Sequence, residues 1–392
     1  MHLLIAGGGT GGHIYPALAV VESLRRRPNP PDISWLGGQR GMEERIVPAA
    51  GVPLRRLALR SLRTVARDVH LILDPIRLAM SIPQAFLMMV RDRPDAVFTT
   101  GGYVAIPVLI AARVLRIPTV LWEGNVLPGR SVRATARLAT VLAVSFSETC
   151  AALGRPAGAT DDQAASPPCL PTGTPIRDLR NVDPLAAREG LGVPAGQRLV
   201  LIFGGSQAVR RLNDVVVAIL PTLVARYHVL HVTGDEGYAP ALAGRAALPT
   251  DQRTRYRPVR FLTDGMTEAL VAADLVVGRA GSSTLAEVTA AGVPMIVVPY
   301  PHAGGHQRAN ARVLVEAGAA VEIEDADLDG PALLEAIGIL DDPASHARMT
   351  AAARSLGRPG AADALAAIVM ALGSRQAPPD VPAIDRMSRG IS

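Results

Sequence analysis

Short apolar runs alternate with longer segments of helical periodicity along the whole chain. Candidate strands are His2–Ala6, Ile33–Leu36, Ala96–Thr99, Thr119–Leu121, Val141–Val144, Leu199–Phe203, Tyr227–Val232, Leu275–Val277 and Met295–Val298. They are rich in Val, Ile and Leu, and most lack polar alternation. That is the pattern of parallel strands covered on both faces. Helical segments between most of them predict βαβ units and an α/β fold with doubly wound parallel sheets.

The pattern starts twice. Residues 154–175 are loaded with Pro, Gly, Ala and Asp and read as a surface loop or linker. Beyond it Leu199–Phe203 runs into a second glycine loop, Gly204-Gly205-Ser206-Gln207, just as His2–Ala6 runs into Gly7–Gly12. We therefore expect two Rossmann-like domains, 1–175 and 176–373. The helical pattern at Ala361–Leu372 is placed to pack across both halves, and 374–392 reads as a frayed tail. A length of 392 residues also favours two cores over one.

Composition narrows the chemistry. The chain is 49% hydrophobic and 19% charged, which is globular. All 40 basic residues are arginine, so Schiff-base lysines and the Walker lysine of P-loop ATPases are excluded. The arginine excess and net charge of +5 read either as genome composition or as a preference for phosphate-bearing or anionic-surface partners. The two cysteines, Cys150 and Cys169, make no disulfide framework, so a reducing compartment is expected. No signal-peptide pattern opens the chain and no uncharged apolar run approaches the ~18 residues of a membrane span. The expected location is cytosolic, or peripheral on the cytosolic face of a membrane.

One segment supports the second option. Leu71 to Val90 is apolar, with Ile76, Leu78, Met80, Ile82, Phe86, Leu87, Met88 and Met89, and it is rimmed by Arg60, Arg63, Arg67, Arg77, Arg91 and Arg93. It reads either as a half-buried helix or as a docking patch for anionic lipid. Asp74, Pro75 and Pro83 exclude a spanning helix.

The candidate chemistry sits in the loops. Gly7-Gly8-Gly9-Thr10-Gly11-Gly12-His13 joins a strand to a helix, which is an arrangement that receives anions. Its G-x-G-x-x-G spacing also fits a dinucleotide, but Leu36-Gly37-Gly38-Gln39-Arg40 lacks the ribose-binding acid. Arg40 is the one group there suited to a 2′-phosphate. In the second half, Arg279-Ala280-Gly281-Ser282-Ser283-Thr284 follows an apolar strand. Ser282 or Ser283 is placed to cap the next helix or to meet a diphosphate, and Glu287 lies about one turn further on. The loop Pro299–Asn310 contains His302 and His306, whose intervening glycines argue against a shared metal site.

Taken together and in order, these blocks resemble the MurG family of peptidoglycan glycosyltransferases. The matching blocks are Gly7–His13, Thr100-Gly101-Gly102-Tyr103, Glu123–Asn125, Gly173-Thr174-Pro175-Ile176-Arg177, Gly204–Gln207, Arg279–Glu287 and His306–Asn310. The resemblance implies the GT-B architecture and inverting, metal-independent transfer of N-acetylglucosamine from UDP-N-acetylglucosamine to the C4 hydroxyl of a lipid-linked muramoyl-pentapeptide. No cofactor and no nucleic acid are implied. It would put Arg177, Ser206, Gln207, Ser282, Ser283, Glu287, His306 and Gln307 on the donor. It would put Gly7, Gly8, Gly9, Thr10, Gly11, Gly12, Tyr103 and Asn125 on the acceptor, with His13 as the base and Glu123 as a second catalytic candidate. The family's usual His-Glu-Gln-Asn is Trp122-Glu123-Gly124-Asn125 here, a departure that motivates the competing reading of a different acceptor. Another lipid or small-molecule acceptor, epimerisation of UDP-N-acetylglucosamine and a silent sugar-nucleotide regulator are the competing readings. Phe261-Leu262-Thr263-Asp264-Gly265 aligns in two ways, so the uracil contact stays open.

Overall fold

A computed structural model of the chain describes residues 1–39, 41–60, 70–155, 157–158, 167–204, 210–262, 265–301 and 304–391. The chain divides into two compact units. Unit 1 is Met1–Ile176 with Gly360–Ser392, and unit 2 is Arg177–Pro359.

Unit 1 holds β1 (His2–Ala6), β2 (Asp32–Gln39), β3 (Leu54–Arg60), β4 (Ala96–Thr99), β5 (Thr119–Glu123), β6 (Val141–Val144) and β7 (Cys169–Pro171). They form one sheet in the order β3-β2-β1-β4-β5-β6-β7, every pairing parallel. Unit 2 holds β8 (Leu199–Phe203), β9 (His228–Val232), β10 (Tyr256–Val259), β11 (Leu275–Gly278), β12 (Met295–Val297) and β13 (Ala320–Glu322). Their order is β10-β9-β8-β11-β12-β13, again all parallel.

Each sheet is covered on both faces, as unbroken apolar strands require. Successive residues point to opposite faces. Thus Leu3 and Ile5 join one core layer with Trp35, Phe98 and Trp122, while Leu4 and Ala6 join the other with Val97. In unit 2, Leu201 and Val276 face one layer, and Ile202 and Val277 the other.

Three sequence expectations are corrected. The 154–175 stretch is not simply a surface linker: it contains β7, Leu170 lies in the core, and 172–176 are buried. Its residues 156 and 159–166 lie outside the described part. The two cysteines do pair: Cys150, on the helix Ser147–Ala152, forms a disulfide with Cys169 of β7. The tail holds the helix Val381–Arg389, capped by Asp380 and burying Ile384 in unit 1. The helix Ala361–Gly373 also belongs to unit 1, where Asp363 accepts hydrogen bonds from Ser23 and Arg26. Pro343–Gly373 contains an 18-residue window apolar enough for a membrane span, yet 56% of that window is buried. It consists of two helices, Pro343–Leu356 and Ala361–Gly373.

Candidate active site

In unit 1 the strand order reverses between β1 and β4, so the loops leaving those strands border one crevice. β1 leads through Gly7–Thr10 into the helix Gly11–Arg25. β4 leads through Thr100 and Gly101 into the helix Gly102–Leu115. His13 lies between the two loops. Its Nδ1 is 2.7 Å from the Thr100 carbonyl oxygen, and Thr100 Oγ1 donates to the His13 carbonyl at 2.9 Å. A carbonyl only accepts, so Nδ1 carries the proton and Nε2 the lone pair. A Cβ at Gly102 would stand 3.7 Å from that Nε2. Gly102 has a φ of +74°, a left-handed backbone that favours glycine at this position. The helix behind His13 has no side-chain cap and no acid in its own first turn; the negative charge beside its start is Glu43, which accepts the Gly9 N–H.

The glycine loop is open at one end only. The Gly7 N–H donates to the Leu36 carbonyl and the Gly9 N–H to Glu43 Oε2. Trp35 Nε1 donates to the Gly7 carbonyl at 2.8 Å. Gly12, in contrast, is exposed, and a Cβ there would meet nothing closer than 3.9 Å. Thr10 is the half-buried residue preceding the helix.

The other residues that the sequence assigns to the acceptor form hydrogen bonds within the protein. Glu123 is buried, and its carboxylate accepts from the Asn125 N–H, the Asn125 side chain and the Gly129 N–H. It organises its own loop, so the geometry gives it no proton to take from a substrate. Asn125 is bound to that carboxylate, and its carbonyl accepts from Thr149. The Tyr103 hydroxyl donates to Glu43 Oε1 at 3.2 Å. Burial and the Glu43 carboxylate push its phenol far above the usual tyrosine value. Trp122 is buried, with Nε1 donating to the Gly173 carbonyl at 3.1 Å. The departure from the family pattern at this position therefore alters the core, not an acceptor-facing group.

Unit 2 reverses between β8 and β11. Ser206 and Gln207, on the loop leaving β8, lie outside the described residues, as do Arg40 and His302. After β11, Gly281 and not a serine precedes the helix Ser282–Ala291, and the side chains of Ser282 and Ser283 make no capping bond. The capping expectation fails, and this helix also begins with no acid in its first turn. Glu287 is half-buried; burial pushes its carboxyl up to about 7, against the pull of Arg177. Gln307 Oε1 accepts from the Ala280 and Tyr300 N–H groups, at 3.2 and 2.9 Å. Asn310 is buried and donates to the Ala280 carbonyl. His306 opens the helix His306–Glu316 behind two glycines with positive φ. Phe261, just past β10, is 63% exposed.

Sequence reasoning passed over Glu43, the Thr100 partner of His13, and Asn310. For Glu43 a signal existed in Gly37-Gly38 and Gly41 crowding around one acid. The fold then brings that acid back to the first loop, where it is buried and not offered to a ribose.

Comparison with known proteins agrees with this division. Residues 3–144 match the glycosyltransferase family 28 N-terminal domain, and residues 199–365 its C-terminal domain. A protein of Desulforudis audaxviator is 39% identical over 385 residues, covering 96% of this chain and 99% of its own length. One of Listeria monocytogenes is 35% identical over 386 residues, covering 95% and 99%. Both are named UDP-N-acetylglucosamine–N-acetylmuramyl-(pentapeptide) pyrophosphoryl-undecaprenol N-acetylglucosamine transferase. The crystal structure of Acinetobacter baumannii MurG is 27% identical with a TM-score of 0.72, covering 94% of this chain and 99% of that one. A putative UDP-N-acetylglucosamine 2-epimerase from Listeria monocytogenes, 14% identical at a TM-score of 0.66, shares the fold. With two parallel-sheet units of the GT-B kind and full-length relatives, the chain belongs to the MurG family of glycosyltransferases.

Proposed function

We propose that the protein moves N-acetylglucosamine from UDP-N-acetylglucosamine to the C4 hydroxyl of undecaprenyl-diphospho-N-acetylmuramoyl-pentapeptide, with inversion. The observation that carries this reading is His13, held by Thr100 with Nε2 beside Gly102. An imidazole placed there is suited to take the hydroxyl proton. The hydroxyl oxygen bonds to the sugar C1 as the bond from C1 to the UDP oxygen breaks. The proton goes to Nε2 and the electron pair leaves with UDP.

Unit 1 would hold the acceptor, its diphosphate at the Gly11–Gly12 end of the loop. Unit 2 would hold the donor. The open helix end at Ser282 and Ser283, with Arg177 and the loop of Ser206 and Gln207, would take the charge growing on the leaving diphosphate. Glu287 would accept the ribose hydroxyls. Gln307, its Oε1 fixed by two backbone amides, would direct its NH2 group to the sugar, with His306 at its side. We read the transfer as metal-independent, because helix ends and an arginine supply the stabilisation. Labelled UDP-N-acetylglucosamine and the lipid acceptor, with and without EDTA, test this. No transfer overturns the reading; loss with EDTA overturns the metal-free mechanism.

The proposed location is the cytosolic face of the plasma membrane. The helix His70–Asp92 exposes Ile76, Met80, Leu87 and Val90 at helical spacing on one face. Arg77, Arg91 and Arg93 flank it, while Met89 is buried. Arg63 and Arg67 lie outside the described residues. Met80→Asp with Leu87→Asp is expected to abolish co-sedimentation with anionic vesicles while leaving the melting temperature unchanged. Wild-type binding that ignores lipid charge and salt counts against the patch. The disulfide stands against a reducing compartment. A thiol count on protein alkylated inside intact cells before lysis decides: two thiols support the cytosolic face, and none counts against it.

A further inference from the structure

Glu43 begins the short helix Glu43–Ala49 and is fully buried. Its Oε2 accepts the Gly9 N–H at 2.9 Å. Its Oε1 accepts the Gly38 N–H at 3.0 Å and the Tyr103 hydroxyl at 3.2 Å. A buried carboxylate persists only with such donors. The backbone around it is bare to admit it. A Cβ on Gly8 or Gly41 would run into the carboxylate, and one on Gly37 would stand 2.8 Å from Cγ. The glycine at position 8, read from the sequence as room for a ligand, is room for Glu43. The inner end of the loop is thus filled by a negative charge, and a second anion there would be repelled. The outer end, at Gly12, stays exposed next to His13.

We propose that Glu43 is a positioning residue of the transfer: it occupies the inner end of the Gly7–Gly12 loop and confines the acceptor's diphosphate to the Gly11–Gly12 end beside His13. This rests on the reading of unit 1 as the acceptor half. Glu43 touches neither substrate, and it acts through the Gly9 amide and the shape of the loop.

Glu43→Gln tests it in the full-length protein. The substitution keeps the size of the side chain but turns one acceptor oxygen into a donor that faces other donors. Transfer is measured against varied lipid-linked muramoyl-pentapeptide and varied UDP-N-acetylglucosamine, with calorimetric UDP binding and a thermal melt on each protein. Displacing a loop beside the reacting groups predicts a loss of about 10–100-fold in acceptor kcat/KM. Donor KM and UDP affinity stay at the wild-type values. Tyr103→Phe, which keeps the carboxylate and both amide bonds, loses less.

Wild-type acceptor kinetics in Glu43→Gln, or an equal loss in UDP affinity, overturns the proposal. Should Glu43→Gln not fold, Gly8→Ala presses on the same carboxylate from the loop side and is expected to give the same acceptor-only lesion. Unchanged acceptor kinetics there also overturns it. A wild-type protein that transfers nothing overturns the functional reading and this inference together. Normal wild-type transfer beside an unaffected Glu43→Gln overturns this inference alone.

Discussion

His13 and Glu287 show how one residue's surroundings set its task. The Thr100 carbonyl holds the His13 ring, so on the proposed mechanism removal of that ring would take away the base and leave unit 2 intact. His13→Ala is expected to lower kcat by about 10²–10⁴ with UDP affinity unchanged in calorimetry. Near-normal turnover would remove His13 from the base role. In the proposed donor site Glu287 would accept ribose hydroxyls, and it does so best when ionised; burial pushes its carboxyl up to about 7. Donor KM is therefore expected to fall as pH rises through about 7 and to level off above it. Each pH unit below that value raises KM by about tenfold. A pH series on Glu287→Gln checks this: the dependence should vanish and affinity drop. His13 was legible in the sequence because its loop is local. Glu43 was not, because its partners Gly9 and Tyr103 lie far from it along the chain and only the sheet brings them together.

Among elements, the strands missed by pattern reading share one property. The nine expected strands all exist, while β3, β7, β10 and β13 were not foreseen. Those four are the outer strands of the two sheets. An outer strand is short or half-exposed, so it carries no unbroken apolar run: β3 reads Leu-Arg-Arg-Leu-Ala-Leu-Arg, and β10 contains Pro258. Arginine and proline there also discourage pairing with other chains. The helix Val381–Arg389 was missed because prolines at 378, 379 and 382 resemble a loop, although Pro382 sits in the first turn, where proline is tolerated. Its Ile384 is fully buried. Ile384→Ala is expected to cost about 2–5 kcal/mol in urea unfolding of unit 1. An unchanged midpoint would show that the helix is dispensable.

At the level of the whole molecule, a buried histidine makes the stability of unit 2 sensitive to acid. In unit 2, His231 is buried between the Tyr256 hydroxyl and the Asn213 side chain, and burial lowers its pKa to about 4. The unfolded chain takes a proton on this histidine near pH 6.5, and the folded chain does not until about 4. Its contribution is therefore complete above 6.5 and is lost as pH falls towards 4, by about 3 kcal/mol over the window. His231→Gln should flatten the pH dependence of unit 2's urea midpoint; equal slopes in both proteins would refute this. The division into two units was legible from the repeated strand and glycine loop. The return of 360–392 to unit 1 was not, because it rests on Asp363 meeting Ser23 and Arg26 and on Leu365, Ile368 and Ile384 entering the core beside β1, contacts far apart along the chain. The two tryptophans of the chain, Trp35 and Trp122, both lie in unit 1, each with its indole N–H on a glycine carbonyl. Selectively excited tryptophan emission is therefore an optical channel for unit 1 alone. It watches the Gly7 loop and the Gly173 segment, while unit 2 stays dark, so a fluorescence melt and a circular-dichroism melt of the same sample report different molecular events.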